Sequence, residues 1–475
     1  MTEKHSLHHL KHKLTKKMET PICDFVKKYA DSKALRLHMP GHKGHSVLGI
    51  ESLDITEIDG ADVLYNGTEN GIISRSERNA AHLFGTQKTL YSAEGSSLSI
   101  RAMLCLAAMQ AKACGKRPLI AAARNAHKVF MSACALLDID IEWLYPSANS
   151  DDICNGIISC KIDAEHLDKK LSDMPDKPSA VYITSPDYLG NIADIEGIAR
   201  VCHKRGILLL VDNAHGAYLN FLPVSCHPIA LGADICCDSA HKTLPVLTGG
   251  AYLHISKNAP RFVSENAESA MSLFASTSPS YLILQSLDAT NRYLADGYRE
   301  KAAALSCSVT ALKAHLNDLG FTLIGDEPFK LTLFPKKYGY TGLELAAILQ
   351  KNGIVCEFAD PDHTVLMFTP EISDDDIIRL RDVLSALKKK TTILIDAPIP
   401  PHLERILSVR EAMLSPSEEL DVRQCLGRTL AQATVSCPPA IPIVVCGERI
   451  DRDAVRCFEY YGIERCRVVS VKKRQ

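Results

Sequence analysis

Apolar and polar positions fall into short blocks along the chain, and the blocks carry two periods. Compact apolar runs predict strands at Thr89–Ala93, Pro118–Ala123, Ile141–Tyr145, Ala180–Thr184, Ile207–Val211, Ala233–Cys237 and Ala251–Ile255. The run Gly206-Ile207-Leu208-Leu209-Leu210-Val211 has no alternation of apolar and polar residues, as expected of a strand buried on both faces of a parallel sheet. Helical spacing predicts helices from Pro21 to Tyr29, Ser74 to Phe84 (ended by Gly85), Ser96 to Cys114 (closed by Gly115), His127 to Leu137 and Ile195 to Lys204. Leu7, Leu10 and Leu14 predict an amphipathic first helix over residues 2–18.

Strands alternating with helices imply a mostly parallel sheet covered on both faces, an α/β architecture. Residues 279–317 read as mostly helical, a long connection out of the large domain. Strands near Phe321–Ile324, Lys330–Phe334, Ile354–Phe358 and Val365–Phe368, with helices Gly342–Leu349 and Asp374–Leu387, predict a smaller α+β domain. Residues 396–475, proline-rich around 437–442, read as an appended C-terminal piece. The expected domains are therefore an N-terminal arm and loop (1–50), a large domain (51–305), and a small domain with its tail (306–475).

Composition narrows the picture. A chain of 475 residues with 46% apolar and 23% charged residues suits a multidomain globular protein, and a net charge of −2 gives no general pull toward nucleic acid or membrane. Lys388-Lys389-Lys390 and Lys472-Lys473-Arg474 read as solvated ends. The 17 cysteines are odd in number and form no CxxC pair, which argues for reduced thiols and against a disulfide frame or zinc site. His8 and His12 are spaced like metal ligands, but nothing nearby completes a site, so no metal is expected. The polar, basic N-terminus lacks a signal-peptide core, and no apolar run approaches the roughly 18 residues of a membrane helix, so a cytoplasmic location is expected.

Candidate chemistry gathers at predicted strand ends. Lys242 follows the strand Ala233–Cys237 on a loop, with Ser239 three residues before it and Gly249-Gly250 after it. Ammonium groups normally stay in water, whereas a Schiff-base lysine must lose its proton, and partial burial lowers its pKa from about 10.4. Asp212 ends the strand Ile207–Val211, at the carboxyl edge where open α/β sheets bind ligands. Together the two supply what pyridoxal phosphate requires: a lysine for its aldehyde and a carboxylate for its ring nitrogen. Gly95-Ser96-Ser97, between a strand and a helix, offers an anion site of free amides and hydroxyls, though an ordinary N-cap explains one serine equally well.

Taken with these, Asp212-x-x-His215 and Ser239-x-His241-Lys242 resemble the Orn/Lys/Arg decarboxylase family of pyridoxal-phosphate enzymes, which has the aspartate-aminotransferase fold (fold type I). The resemblance extends to His38-Met39-Pro40-Gly41-His42-Lys43-Gly44, Arg124-Asn125-Ala126-His127-Lys128, Thr277-Ser278-Pro279-Ser280-Tyr281, Arg410-Glu411-Ala412, Ser415-Pro416-Ser417-Glu418-Glu419 and Pro438-Pro439-Ala440-Ile441-Pro442. It implies decarboxylation of a basic amino acid, with arginine favoured over lysine or ornithine, to carbon dioxide and a polyamine or its precursor.

The resemblance also implies roles. Lys242 would carry pyridoxal 5'-phosphate, Asp212 would hold its ring nitrogen protonated, His127 would stack on the ring, and His215 would lie near the phenolic oxygen. Ser96, Ser97, Ser239 and His241 would bind the phosphate, with Thr277 and Ser278 reaching it from a second subunit of a homodimer or larger assembly. Glu411, Glu418 and Glu419 would meet the distal cation of the substrate.

There are departures from the family pattern. The chain starts too close to Pro40 for the N-terminal wing of larger members, so it resembles the short, biosynthetic type. Position 215 is His where an aromatic such as Trp is usual. Gly95-Ser96-Ser97 stands for Gly-Thr-Ser, and Cys437-Pro438-Pro439-Ala440 for Tyr-Pro-Pro-Gly. Two other readings use the same residues: another fold-type-I enzyme, either an aminotransferase with Arg410 as carboxylate clamp or a lyase, and a non-enzymatic regulator. The regulator would have lost Lys242 or Asp212.

Overall fold

The structure, a computed structural model, describes residues 17–45, 48–58, 63–145, 162–395, 397–399, 401–436 and 442–470. The expected first helix with His8 and His12, the Cys437–Ile441 motif and the Lys472–Arg474 tail lie outside the described residues.

The large sheet has seven strands: β1 (Lys88–Ser92), β2 (Leu119–Ala123), β3 (Asp140–Leu144), β4 (Ala180–Thr184), β5 (Leu208–Asp212), β6 (Ile235–Asp238) and β7 (Ala251–Ile255). Their order is β1-β7-β6-β5-β4-β2-β3. β2 to β6 run parallel, and β7 lies antiparallel between β6 and β1. Successive side chains of a strand point to opposite faces, and both faces here are apolar. Ile120, Ala122, Tyr182, Leu208 and Leu210 pack on one side with the helices Ser96–Ala113 and Lys128–Leu137. Ala121, Ala123, Val181, Ile183, Leu209 and Val211 pack on the other with Ala164–Asp173 and Ile195–Lys204. That two-sided burial is why these strands read as continuous apolar runs.

A second sheet of β8 (Thr322–Ile324), β9 (Lys330–Phe334), β10 (Phe358–Ala359) and β11 (Thr364–Met367) is antiparallel, in the order β10-β11-β9-β8. The helices Gly342–Lys351 and Asp374–Ser385 beside it each begin with a reciprocal capping box, Thr341 with Glu344 and Ser373 with Asp376. Beyond it, β12 (Ser417–Asp421) pairs with β15 (Arg465–Val469), and β13 (Thr434–Ser436) pairs with β14 (Pro442–Val445). These two pairs and the helix Arg452–Tyr460 enclose a core of their own around Leu430, Ile443, Val444, Phe458 and Val468.

Buried charge joins this C-terminal piece to the rest. Arg124, just past β2, holds Glu448 through two parallel bonds of 2.7 Å, with both side chains under 10% exposed. Lys336 pairs with Asp362, whose Oδ1 also accepts from Tyr460 Oη at 2.7 Å.

Several expectations are corrected. The long connection is two helices, Tyr281–Ala295 and Tyr298–Asp318, broken at Gly297, whose φ of +75° a side chain would strain. The strand expected over Ile354–Phe358 shrinks to Phe358–Ala359, because only these residues pair with β11, and Val355 faces solvent. Lys242 stands in a one-turn helix, Ala240–Thr243, and not on an open loop. The helix Ala164–Asp173, which buries only Leu167 and Leu171, and the helix Arg261–Ser272 were not anticipated.

Candidate active site

The carboxyl ends of β4 and β5 and the turn after β6 meet at a cavity of about 150 Å³, whose lining includes Asn125, His127, Tyr188, Asp212, His215 and Lys242. Each of these ends or follows a strand of the large sheet, so the topology itself brings them together.

Asp212 is the last residue of β5 and only 2% exposed. Its Oδ2 accepts from Tyr182 Oη at 3.0 Å, and its Oδ1 from Ala214 N at 3.2 Å and Cys237 Sγ at 3.5 Å. These donors are neutral, and a carboxylate so buried is best stabilised by a cation. Lys242 opens to the cavity with Nζ 3.1 Å from His215 Nε2. The surrounding protein lowers its pKa, desolvation first, while the charge of Asp212 works against that shift. The amine therefore frees its electron pair at lower pH than a surface lysine does.

His215 is 6% exposed, and its Nδ1 has no hydrogen-bond partner. Burial, then the nearby charges of Lys330 and Lys242, hold it neutral. His127 caps the helix Lys128–Leu137, its Nδ1 accepting from Val129 N at 3.3 Å, which orients the ring. Burial lowers its pKa as well, with Asp212 opposing.

A polar cradle lies at the start of the helix Ser96–Ala113. Gly95, at φ +71°, precedes the helix and no side chain caps it, so its first amides are left for a ligand. Gly95 N donates to Gly249 O at 2.7 Å, drawing the two glycine turns together. Ser239 Oγ donates to Ser96 Oγ at 2.7 Å, and His241 Nδ1 lies 2.9 Å from Gly250 O. Ser97 occupies the next position of the same helix. Thr277 and Ser278 are exposed, on a loop whose Ser276 N donates to Glu94 Oε1 at 2.6 Å. That loop therefore borders the cradle of its own chain.

This donor set suits a phosphorylated pyridine aldehyde. It offers an uncapped helix start for the phosphate, a carboxylate with neutral neighbours for the ring nitrogen, and an amine of lowered pKa for the aldehyde. Buried polar atoms without partners among the lining residues, Asn125 Oδ1 and His215 Nδ1, fit the same group.

The Orn/Lys/Arg decarboxylase major-domain profile matches residues 20–318. The chain belongs to the Orn/Lys/Arg decarboxylase family. It is 28% identical over 470 residues to an arginine decarboxylase of Bacillus subtilis, covering 92% of each chain. An arginine decarboxylase of Halalkalibacterium halodurans is also 28% identical, again with 92% of each chain covered. The biodegradative arginine decarboxylase of Escherichia coli is 25% identical over 301 residues, 56% of this chain and 39% of that protein. Among solved structures, a Francisella novicida lysine decarboxylase superposes with a TM-score of 0.77 at 17% identity, covering 95% of this chain and 81% of that one. A Sphingomonas wittichii serine palmitoyltransferase reaches 0.55 at 16% identity, with 78% and 84% covered. Both likenesses speak to the fold, an α/β fold of type I.

The structure does not bring every expected residue to the cavity. Glu411, Glu418 and Glu419 are outside its lining, as are Ser96, Ser97, Ser239, His241, Thr277 and Ser278. Glu411 completes a capping box with Ser408 at the start of its own helix, Val409–Leu414. Glu418 pairs with Arg428 at 2.6 Å and Glu419 with Arg465 at 3.6 Å, on the exposed strand β12. Arg410 donates to the carbonyls of Ala135 and Leu136, at the far end of the helix that His127 begins. Ten helical residues place that end about 15 Å from His127.

Other site residues went unrecognised from sequence. Tyr182, Thr184 and Tyr188 belong to β4 or the turn after it, a strand that the apolar run predicts but whose carboxyl end carries no recognisable motif. Glu357 accepts from Tyr188 Oη at 2.8 Å, and its charge is felt at Lys242. Neither carried a sequence signal, because the smaller sheet brings Glu357 to Tyr188 across 169 residues.

Proposed function

We propose that this protein decarboxylates a basic amino acid, arginine foremost, with pyridoxal 5'-phosphate carried on Lys242. The convergence of Lys242, Asp212, His127 and His215 at one cavity carries the reading. When bound, the cofactor supplies the electron sink for the carbanion left by loss of carbon dioxide. Asp212 keeps a proton on the ring nitrogen, at the 2%-exposed site where its own carboxylate needs a cation. His127 packs on the ring, oriented by the bond from Val129 N. His215, held neutral, places a nitrogen beside Lys242 Nζ and can accept a proton there. Ser96, Ser97, Ser239 and His241, with Thr277 and Ser278, bind the phosphate.

For the distal cation of the substrate, Glu357 is the carboxylate best supported, being tied to the cavity wall through Tyr188. Arginine is favoured because two of the relatives matched over most of their length carry that name. An aminotransferase clamp at Arg410 is disfavoured, since that guanidinium is already engaged with the carbonyls of Ala135 and Leu136.

The proposed assembly is a homodimer. Leu35, Leu37 and Leu48 are each 80–83% exposed around the His38–Gly44 loop, an apolar patch of the kind that marks a subunit interface. The proposed location is the cytoplasm, in keeping with the free thiols of the described cysteines. Among the described residues no helix is long and apolar enough to cross a membrane.

The test is to incubate the protein and cofactor separately with arginine, lysine and ornithine, and to measure carbon dioxide and amine. Stoichiometric carbon dioxide and amine, fastest with arginine, is the expected result. A 2-oxo acid as the main product would replace this reading with transamination.

A further inference from the structure

Directly behind the cavity residues lies a second polar group that never meets the cavity. Asn213 follows Asp212 at the end of β5, and Asp238 ends β6 just before Ser239. Asp238 is wholly inaccessible, and both its oxygens are engaged. Oδ1 accepts from Asn213 Nδ2 at 2.7 Å, and Oδ2 accepts from His227 Nε2 at 3.0 Å and His254 Nε2 at 3.1 Å.

The outer nitrogen of His227 settles the protonation of that ring. His227 Nδ1 faces the backbone N–H of Ile229 at 3.4 Å, so it must be the acceptor and Nε2 must carry the proton. His254 Nδ1 lies 2.9 Å from the hydroxyl of Thr89 on β1, which can donate to it. Both rings donate through Nε2 to one carboxylate; burial pushes the Asp238 pKa up, but the two imidazoles outweigh it and hold the carboxyl well below the usual carboxylate range. The same three side chains have the proximity of a metal site. A metal on Nε2 would, however, require a proton on Nδ1, and in His227 that atom meets a donor. The Phe84 ring covers the group, 4.5 Å from His254 and 5.6 Å from His227 between centroids.

This network ties four neighbouring strands one residue behind the chemistry. Asn213 N also donates to Cys237 O at 3.0 Å, so backbone and side chain both lock the end of β5 to the end of β6. From Asp238 the chain runs directly into Ser239, which reaches Ser96, and into the one-turn helix that holds Lys242. We propose that Asp238, gripped by His227, His254 and Asn213, is a positioning residue that sets Lys242 and the phosphate cradle in register with Asp212. The inference rests on Lys242 and Asp212 being the cofactor residues, and Asn213 links their two strand ends through its side chain, beside the longer contact of Cys237 Sγ with Asp212.

The test compares Asp238→Asn and Asn213→Ala with the unaltered holoenzyme. Four quantities are read: cofactor Kd, borohydride trapping on Lys242, the pH midpoint of the bound cofactor's visible absorption, and melting temperature. Asn213→Ala should melt within about 5 °C of the parent. It should raise cofactor Kd about fivefold or more and move the absorption midpoint by roughly half a unit. Asp238→Asn should show the same changes, larger. If Asp238→Asn fails to fold, Asn213→Ala alone decides.

Lower melting temperatures with Kd, trapping and midpoint unchanged would make the network structural only and overturn the proposal. Stoichiometric zinc in the purified protein, released by His227→Ala, would overturn it too. Absence of trapped cofactor on Lys242 in the unaltered protein would instead overturn the functional reading on which the proposal stands.

Discussion

The carboxyl edge of the large sheet and the strand β12 both hold carboxylates inside motifs that the family resemblance covers, yet the two regions treat them differently. At the sheet edge, Asp212 is buried among neutral donors, and Asp238 behind it is fully enclosed. On β12, Glu418 and Glu419 sit at the surface, each with an arginine from its own C-terminal piece. Glu411 spends its carboxylate on the start of its own helix. A motif passes its chemistry on where the backbone of several elements converges and local partners leave a charge uncompensated. Where local partners already satisfy the charge, the same motif is explained by folding alone.

The sharpest way to break this comparison is at Lys242. Lys242→Ala should lower turnover by at least about 10³-fold, since no other group can carry the cofactor in the same place. The fold should persist, because the side chain lines the cavity and is exposed to it. Borohydride reduction and peptide mapping of the parent should give one labelled peptide, containing Lys242. A label on a different lysine ends the assignment.

The two regions are joined by Arg124 and Glu448, and that joint can be tested separately. Arg124→Ala leaves the Glu448 carboxylate buried without its partner, a loss of about 3–5 kcal/mol in stability. Denaturant unfolding with matched slopes reads this directly. A loss well below 1 kcal/mol would mean that the C-terminal piece is not anchored through this pair.

How much of this was legible in the sequence depended on what buries each residue. The large sheet was readable because its strands are covered on both faces, so that Ile207–Val211 shows an unbroken apolar run. Asp212, Ser239 and Lys242 were readable because they come at or shortly after the ends of such runs. Helix Ala164–Asp173 was not, because it buries only Leu167 and Leu171 and is otherwise polar. Tyr188 and Glu357 were hidden for another reason: each is an ordinary residue until the two sheets pack and a bond forms between them. His227 and His254 were equally silent, since only the fold of the segment before β6 and the pairing of β7 with β6 bring them to Asp238.

Asp212→Asn sharpens the comparison from the buried side. Turnover should fall on the order of 10²-fold, with a smaller change in cofactor binding, because the charge matters most when the carbanion forms. The substitution also removes the carboxylate that opposes the lowering of the Lys242 pKa. In the cofactor-free protein, Lys242 should therefore react with an amine-selective reagent at still lower pH than in the parent. Labelling of Lys242 as a function of pH, measured by mass spectrometry, gives both midpoints. An unchanged or higher midpoint in Asp212→Asn would show that the Asp212 charge does not act on that amine.

The smallest effects are expected on β12 and at its neighbouring helix. Glu418→Gln and Glu419→Gln each weaken one exposed ion pair, and such pairs contribute about 0–1 kcal/mol. Glu411→Gln keeps the capping geometry, since Gln also serves at that position of a capping box. All three should leave kcat/KM for arginine and lysine within about twofold of the parent, a change under about 0.5 kcal/mol. Glu357→Gln provides the contrast. It keeps shape and hydrogen bonding but removes the charge tied to the cavity wall through Tyr188, so KM for arginine should rise about tenfold with little change in kcat. The comparison turns on which carboxylate the substrate's distal cation meets. If Glu357→Gln is silent while one of the three C-terminal substitutions raises KM, recognition comes from β12 or its neighbouring helix, reached across a subunit boundary, and the exposed region is the functional one after all.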